Sequence, residues 1–289
     1  MSTAGGEAAA LAGAPALEVP ARLPLRSDGT RLMRLSVSSL ALFARCPERW
    51  RRRYIERERE PQTGAMVLGS AVGAAITAHF AAQLHGAALS AEEVDDLLLA
   101  EFSERVEGRA VDFGGETSDG LREQGREALR SYLETLAPGV RPRSVERKCE
   151  ARFAGAEWTF EGRIDLEDER GPVVDFKVGR KHVSEARADS SPQASGYLLV
   201  RMLEGRPAER FEFHSIRRGQ MRSGERCVAV QSERTEVQLR AFEARIAQTA
   251  REVTRCAESG DWSLSSPEGW WCSAGMCAAW AKCPGGGAR

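Results

Sequence analysis

Apolar and polar residues alternate with different periods along the chain, and the period predicts the elements. In LSVSSLALFARCPERWRRRYIE, beginning at Leu35, the residues Leu42, Cys46, Trp50 and Tyr54 recur at helical spacing, and Ser38 and Ser39 are suited to cap the segment. A short helix interrupted at Pro47 is predicted. The small, apolar stretch MVLGSAVGAAITAHFAAQLHG at 66–86 predicts a second helix, whose glycines imply close approach to a neighbour. Two amphipathic helices follow: one at 91–106 on Val94, Leu97, Leu98 and Phe102, the other at 121–136 on Leu129, Tyr132 and Leu136. From Ser144 the period changes to two, with Val145, Cys149, Ala151 and Phe153 on one face and Glu146, Lys148, Glu150 and Arg152 on the other. Residues 157–166 alternate again, and 172–178 form the short apolar run of a central strand, joined by a charged hairpin-like loop that ends at Gly171 and Pro172. A helix is predicted at 191–203, strands at 210–217 and 226–232, and the longest helix at 235–258. The fold class is therefore α/β: a mixed sheet of four or five strands flanked by helices, with a helical insertion before the sheet and a cysteine-rich tail folded back on it.

Composition refines this picture in three places. Residues 1–30 are rich in Ala, Gly and Pro without apolar periodicity, so a disordered N-terminal segment is expected there, followed by one domain over 31–289. Within that domain the helical part is placed at about 36–138, the α/β core at about 144–258 and the cysteine-rich tail at about 262–289. No apolar run approaches the ~20 residues needed to span a bilayer, and no basic region followed by an apolar stretch marks a signal peptide, so no membrane partner and a cytoplasmic location are expected. The net charge of −1 makes no global case for nucleic acid, which leaves local clusters. Arg49, Arg51, Arg52 and Arg53 lie beside Trp50 and Tyr54, and Arg217, Arg218, Arg222 and Arg226 gather near a later turn. Such groups track phosphates while aromatics stack on bases; interleaved with Glu56, Glu58 and Glu60, the first run equally makes an ion-paired surface.

The chemistry concentrates in GRIDLEDERGPVVDFK, Gly162 to Lys177. On a strand, Asp175 and Lys177 point to one side while Val174, Phe176 and Val178 point into the core. Asp165 on the preceding strand completes the group, and two close carboxylates repel unless a cation lies between them. Phosphodiester hydrolysis needs a Lewis acid, an in-line water and relief of the charge that builds on the phosphate. Asp165, Asp175 and the carbonyl of Phe176 are assigned to Mg²⁺ or Mn²⁺, and Lys177 to the nucleophile and the developing charge. The plainer alternative is a turn cap at Asp165 and an ordinary ion pair between Asp175 and Lys177.

GRID (Gly162 to Asp165), VVDFK (Val173 to Lys177) and QASGY (Gln193 to Tyr197) together resemble the PD-(D/E)XK nuclease superfamily, in its RecB-like and AddB-like branch. The resemblance implies a restriction-endonuclease-like core and DNA as substrate, single-stranded or at ends, cut by an exonuclease in recombination, repair or phage- or CRISPR-type processing. It places Gln193 and Tyr197 beside the active site, on one helical face by their i, i+4 spacing. A catalytically inactive module that binds DNA or a protein is the alternative, and no motif specifies a helicase, recombination or integrase partner. The branch carries G-x-x-x-H upstream, where this chain reads GSAVG, so Gly73 stands at the histidine position. His79 lies off that helical face.

Seven cysteines without a secretion signal argue for metal rather than disulfides. Cys46 upstream and Cys272, Cys277 and Cys283 in the tail make four thiolates, enough for a [4Fe-4S] cluster or a structural Zn²⁺. AddB-like and CRISPR-associated nucleases resemble this layout, one cysteine before the core and three after it. Cys149, Cys227 and Cys256 read as buried thiols.

Overall fold

The computed structural model describes residues 33–287, apart from 61, 154, 155, 209, 222 and 267. The expected disordered segment at 1–30 and Arg222 lie outside the described residues.

Chain order runs β1 (Met33–Leu35), α1 (Val37–Arg45), α2 (Pro47–Tyr54), β2 (Gln62–Thr63), α3 (Gly64–Leu84), α4 (Ala91–Val106), β3 (Val111–Asp112) and α5 (Ser118–Thr135). It continues through β4 (Pro142–Arg152), β5 (Trp158–Asp168), β6 (Val173–Gly179), α6 (Glu185–Asp189), α7 (Pro192–Leu203), β7 (Phe211–Arg217), β8 (Cys227–Ser232) and α8 (Glu236–Ser259). The N-terminal helix is two helices. Ser36, rather than Ser38 or Ser39, caps α1 in a reciprocal box with Ser39, and Cys46 both ends α1 and caps α2 ahead of Pro47.

Among the described residues the mixed sheet has six strands where four or five were expected, in the order β1-β5-β6-β7-β8 with β4 also on β5; β2 and β3 form a separate small pair. The extra strand is β1, only three residues long and without enough length to display a period. Helices cover both faces. Trp50, Phe160, Leu198, Phe211, Phe242 and Ile246 build the core under α1, α2, α7 and α8. Leu68, Ile76, Phe80, Leu98, Tyr132 and Phe176 build the other under α3, α4 and α5. By length and apolarity the 21-residue α3 could cross a bilayer, which corrects the expectation that no segment reaches that length. Its Val67, Leu68, Ala71, Val72, Ala75, Ile76 and Phe80 are instead buried in the second core.

The arginine run resolves to the ion-paired surface. Arg49 holds Glu60 at 2.6 Å, Arg51 and Arg52 both hold Glu48, and Trp50 is buried, stacked on Trp262 of the tail at 5.9 Å between ring centroids. Trp50 is therefore an anchor for the tail, not a platform for bases. The backbone N–H of Glu48 also donates to the Ser263 carbonyl at 3.2 Å, which pins residues 262–263 beside α2.

Candidate active site

β5 is the strand on which the site is built, because one of its edges is shared. β1 occupies that edge from Trp158 to Phe160, and β6 pairs only at Leu166 and Glu167. Among the described residues, 161–165 of β5 have no strand partner on that side, while β4 pairs along the other from Ser144 to Arg152 with a break at the Glu146 rung. At the end of this gap β6 splays away, and the Phe176 N–H donates to Asp165 Oδ2 at 3.1 Å instead of to a β5 carbonyl. In a strand the N–H and C=O of one residue face the same edge, so the Phe176 carbonyl is directed to the same gap.

Alternation also breaks at this level. Ile164 packs in the α7–α8 core and Leu166, two residues on, in the α3–α5 core; a regular strand would put both on one face. Asp165 is the residue at the break.

The structure brings Asp165, Asp175, Lys177, Gln193 and Tyr197 together. Asp175, only 1% exposed, accepts a hydrogen bond on Oδ1 from Gln193 Nε2 at 2.5 Å. Its Oδ2 is ion-paired to Lys177 Nζ at 2.6 Å, without a well-aligned hydrogen-bond donor. Lys177 is steadied by the Phe213 ring, 5.8 Å away. The two carboxylates touch each other. Burial pushes the Asp175 carboxyl up to about 7, opposed by Lys177 and reinforced by Asp165. Burial raises Asp165 too, against the Phe176 N–H and Lys177. Two buried acids with one ammonium between them are undercompensated, and without further cation they hold a proton up to about pH 7.

Tyr197 is buried rather than open to a ligand. Its ring lies on β5 where Gly162 leaves room: a Cβ at 162 would sit 2.5 Å from Tyr197 Cε1. Gly196 does the same from the helix side, since a Cβ there would meet Phe160 Cζ at 2.7 Å. The glycines of GRID and QASGY thus serve one purpose, seating α7 flat against β5. Burial raises the Tyr197 hydroxyl to about 12, against a hydrogen bond with Gln193, so it stays protonated and fixes the amide that holds Asp175.

A buried ion network missed in the sequence locks the same helix. Glu167, 5% exposed, accepts from Arg147 on β4, Arg201 on α7 and Ser144, with Arg147 also reaching Glu204 at the end of α7. The signal available was weak, since Glu167 stands between Leu166 and Asp168 in a strand that already carries several charges. Gly69 packs beside Val178, and Gly73, one turn further along α3, has no heavy atom within 4 Å of a built Cβ. The position of the missing histidine is open space. His79 hydrogen-bonds to Gln83 on the same helix at 2.9 Å and packs on Phe80.

Cys46, Cys272, Cys277 and Cys283 line one apolar cavity with Trp271 and Trp280, and all four thiols are free. Arg49 crosses between them, its guanidinium held by Glu60 and reaching the Trp271 carbonyl at 3.4 Å. Cys149, Cys227 and Cys256 are buried singly. Among the described residues, no three His, Cys, Asp or Glu side chains are drawn together tightly enough to hold an ion as they stand.

The family model described as the PD-(D/E)XK nuclease superfamily matches residues 34–284. A crystal structure from Eubacterium rectale, named "putative exonuclease", is similar at 13% identity over 86% of this chain and 92% of that one, with a TM-score of 0.56. A structure of SSO0001 shares 13% identity over 87% and 85% of the two chains at a TM-score of 0.37, too low to establish a common fold. None of the curated proteins matches the sequence.

Proposed function

The chain belongs to the PD-(D/E)XK nuclease superfamily, and from that premise we propose that it is a metal-dependent DNA exonuclease of the RecB-like kind. The proposed substrate is single-stranded DNA or DNA ends, in recombination, repair or phage- or CRISPR-type processing. The observation that carries the reading is the pair of buried carboxylates, Asp165 and Asp175, at the mouth of the β5–β6 splay, with Lys177 as the one ammonium on Asp175 Oδ2. The name of the Eubacterium rectale relative supports the exonuclease part.

The donor set fits a hard divalent cation: two carboxylates in contact, one oxygen without a hydrogen bond, and a backbone carbonyl facing the same gap. Bound there, Mg²⁺ or Mn²⁺ supplies Lewis acidity at the phosphate and lowers the pKa of the attacking water. Lys177, anchored by Asp175, presents its ammonium toward the developing phosphate charge. Gln193 keeps Asp175 in one rotamer, and Tyr197 keeps Gln193 in place. The competing reading, an inactive binding module, draws on the open position at Gly73. A titration with Mg²⁺ and Mn²⁺ against end-labelled single- and double-stranded DNA separates them: release of labelled nucleotide with either ion, abolished by EDTA, is expected. DNA binding without hydrolysis in both metals would assign the module instead.

The four cysteines about one apolar cavity support a [4Fe-4S] cluster as structural cofactor, with Zn²⁺ as the alternative. The donors are of the right softness, but the space they now enclose, ≈ 20 Å³, is that of about one water, so a cluster requires the thiols to turn outward. Anaerobically purified protein is expected to be brown, with about four iron and four sulfide per chain. Colourless protein with one zinc per chain assigns Zn²⁺, and Cys277→Ser is expected to lose the metal and lower the Tm in either case.

A further inference from the structure

Asp165 has a partner across the sheet that the cation site as drawn does not use. Val145 pairs with Leu166 and Arg147 with Ile164, so Glu146 lies opposite Asp165. Glu146 has φ of 49°, in the left-handed region that a non-glycine residue in a strand rarely enters. The consequence matches the break on β5: Val145 packs against the α3–α5 core while Arg147 reaches across to Glu204 at the end of α7. The two strands therefore lose alternation at the same rung, and the residues on that rung are both acids.

The carboxylate of Glu146 is partly buried. It holds Arg163 at 2.6 Å, and Arg163 is two residues before Asp165 on the same strand. Glu146 also lies near enough to feel the Asp165 charge. Strain alone does not define a ligand. The independent observation is that Asp175 Oδ2, buried at the same place, has Lys177 as its charge partner but no aligned hydrogen-bond donor.

We infer that Glu146 is the third protein ligand of the divalent cation held by Asp165 and Asp175, turning from Arg163 to the ion and taking the place of a helix-borne histidine. The inference rests on the proposed cation site. A third carboxylate gives the site one more negative charge than a histidine would, which suits hard cations with oxygen preference over softer ones. Arg163 keeps that charge compensated until an ion arrives.

Mn²⁺ binding to the full-length chain, followed by the EPR signal of free Mn²⁺ at constant pH, tests this without reference to cleavage. Glu146→Gln is expected to weaken Mn²⁺ binding at least about 10-fold, and Glu146→Asp to recover part of it. Glu146→Gly should weaken binding as much while raising the metal-free Tm, because glycine accepts a φ of 49° without strain. A merely structural role for Glu146 predicts no such opposition between stability and affinity. Wild-type Mn²⁺ affinity in Glu146→Gln, with binding lost in Asp175→Asn, would overturn the assignment and leave the cation site standing. Unchanged affinity in Asp175→Asn as well would remove the site itself, and Glu146 with it.

Discussion

Asp175→Asn is expected to lower cation-dependent DNA cleavage by about 10³-fold or more while the chain stays folded. The substitution keeps the shape of the side chain and the contact with Gln193, but removes the negative oxygen that a cation and Lys177 both need. It also makes a prediction of opposite sign for stability. An unfolded aspartate ionises near ~4, whereas burial holds the folded Asp175 carboxyl up at about 7. Between these values the folded chain keeps a proton that the unfolded chain has lost, so stability falls as pH rises from about 4 through about 7. Below that window the two states bind the same proton and no penalty exists. Above it the penalty is complete. Asparagine carries no such penalty, so in EDTA the variant should melt above wild type at pH 8, and the gap should close as pH falls toward 4. Each 1 kcal/mol relieved corresponds to roughly 2–4 °C in a chain of this size. Mn²⁺ should raise the wild-type Tm at pH 8 and leave that of the variant unchanged. Melting curves by circular dichroism at pH 4 and 8, with EDTA or Mn²⁺, read all of these outcomes.

Gly162→Ala is expected to cost about 1–3 kcal/mol of stability and on the order of 10² in cleavage rate. The added Cβ, 2.5 Å from the Tyr197 ring, must push α7 off β5 or rotate the tyrosine, and Gln193 moves with either. Asp175 then loses the contact that fixes its rotamer. The control is Gly73→Ala, where the new methyl meets nothing within 4 Å and the residue is in mid-helix. There a stability gain of ~0.5–1 kcal/mol is expected. Urea unfolding of the two variants beside wild type checks the pair, and equal responses at 162 and 73 would contradict the close seating of α7.

Periodicity was informative where elements were long. The pattern of β4 and β5, the apolar β6 and the amphipathic α8 all lie close to where alternation and helical spacing put them. It was uninformative for β1, whose three residues cannot express a period, and it left Arg49 to Arg52 open between a phosphate track and an ion-paired surface, which the folded contacts with Glu48, Glu56, Glu58 and Glu60 decide. Spacing put Asp175 with Lys177 on one side of a strand and Gln193 with Tyr197 on one face of a helix, and the family resemblance brought the two pairs together. The rest depends on partners far apart in sequence. The role of Gly162 requires knowing that Tyr197 lies over it, and the sequence does no more than permit Glu146 as an extra carboxylate until the register sets it opposite Asp165. The buried lock from Glu167 to Arg147 and Arg201 joins two strands and a helix, so no local window contains it.

The central claim is that the acids and the lysine around the β5–β6 splay cut phosphodiester bonds. The most direct measurement is release of end label from single-stranded DNA in Mn²⁺ by wild type and Lys177→Ala, purified side by side and matched for folding by circular dichroism. The ammonium at 177 is partly exposed and its loss leaves no cavity in either core, but Asp165 and Asp175 then lack their ammonium, so a lower metal-free Tm is expected and folding is matched at a temperature below both transitions. Label release by wild type and none by the variant is the predicted result. Equal release by both proteins would contradict the account.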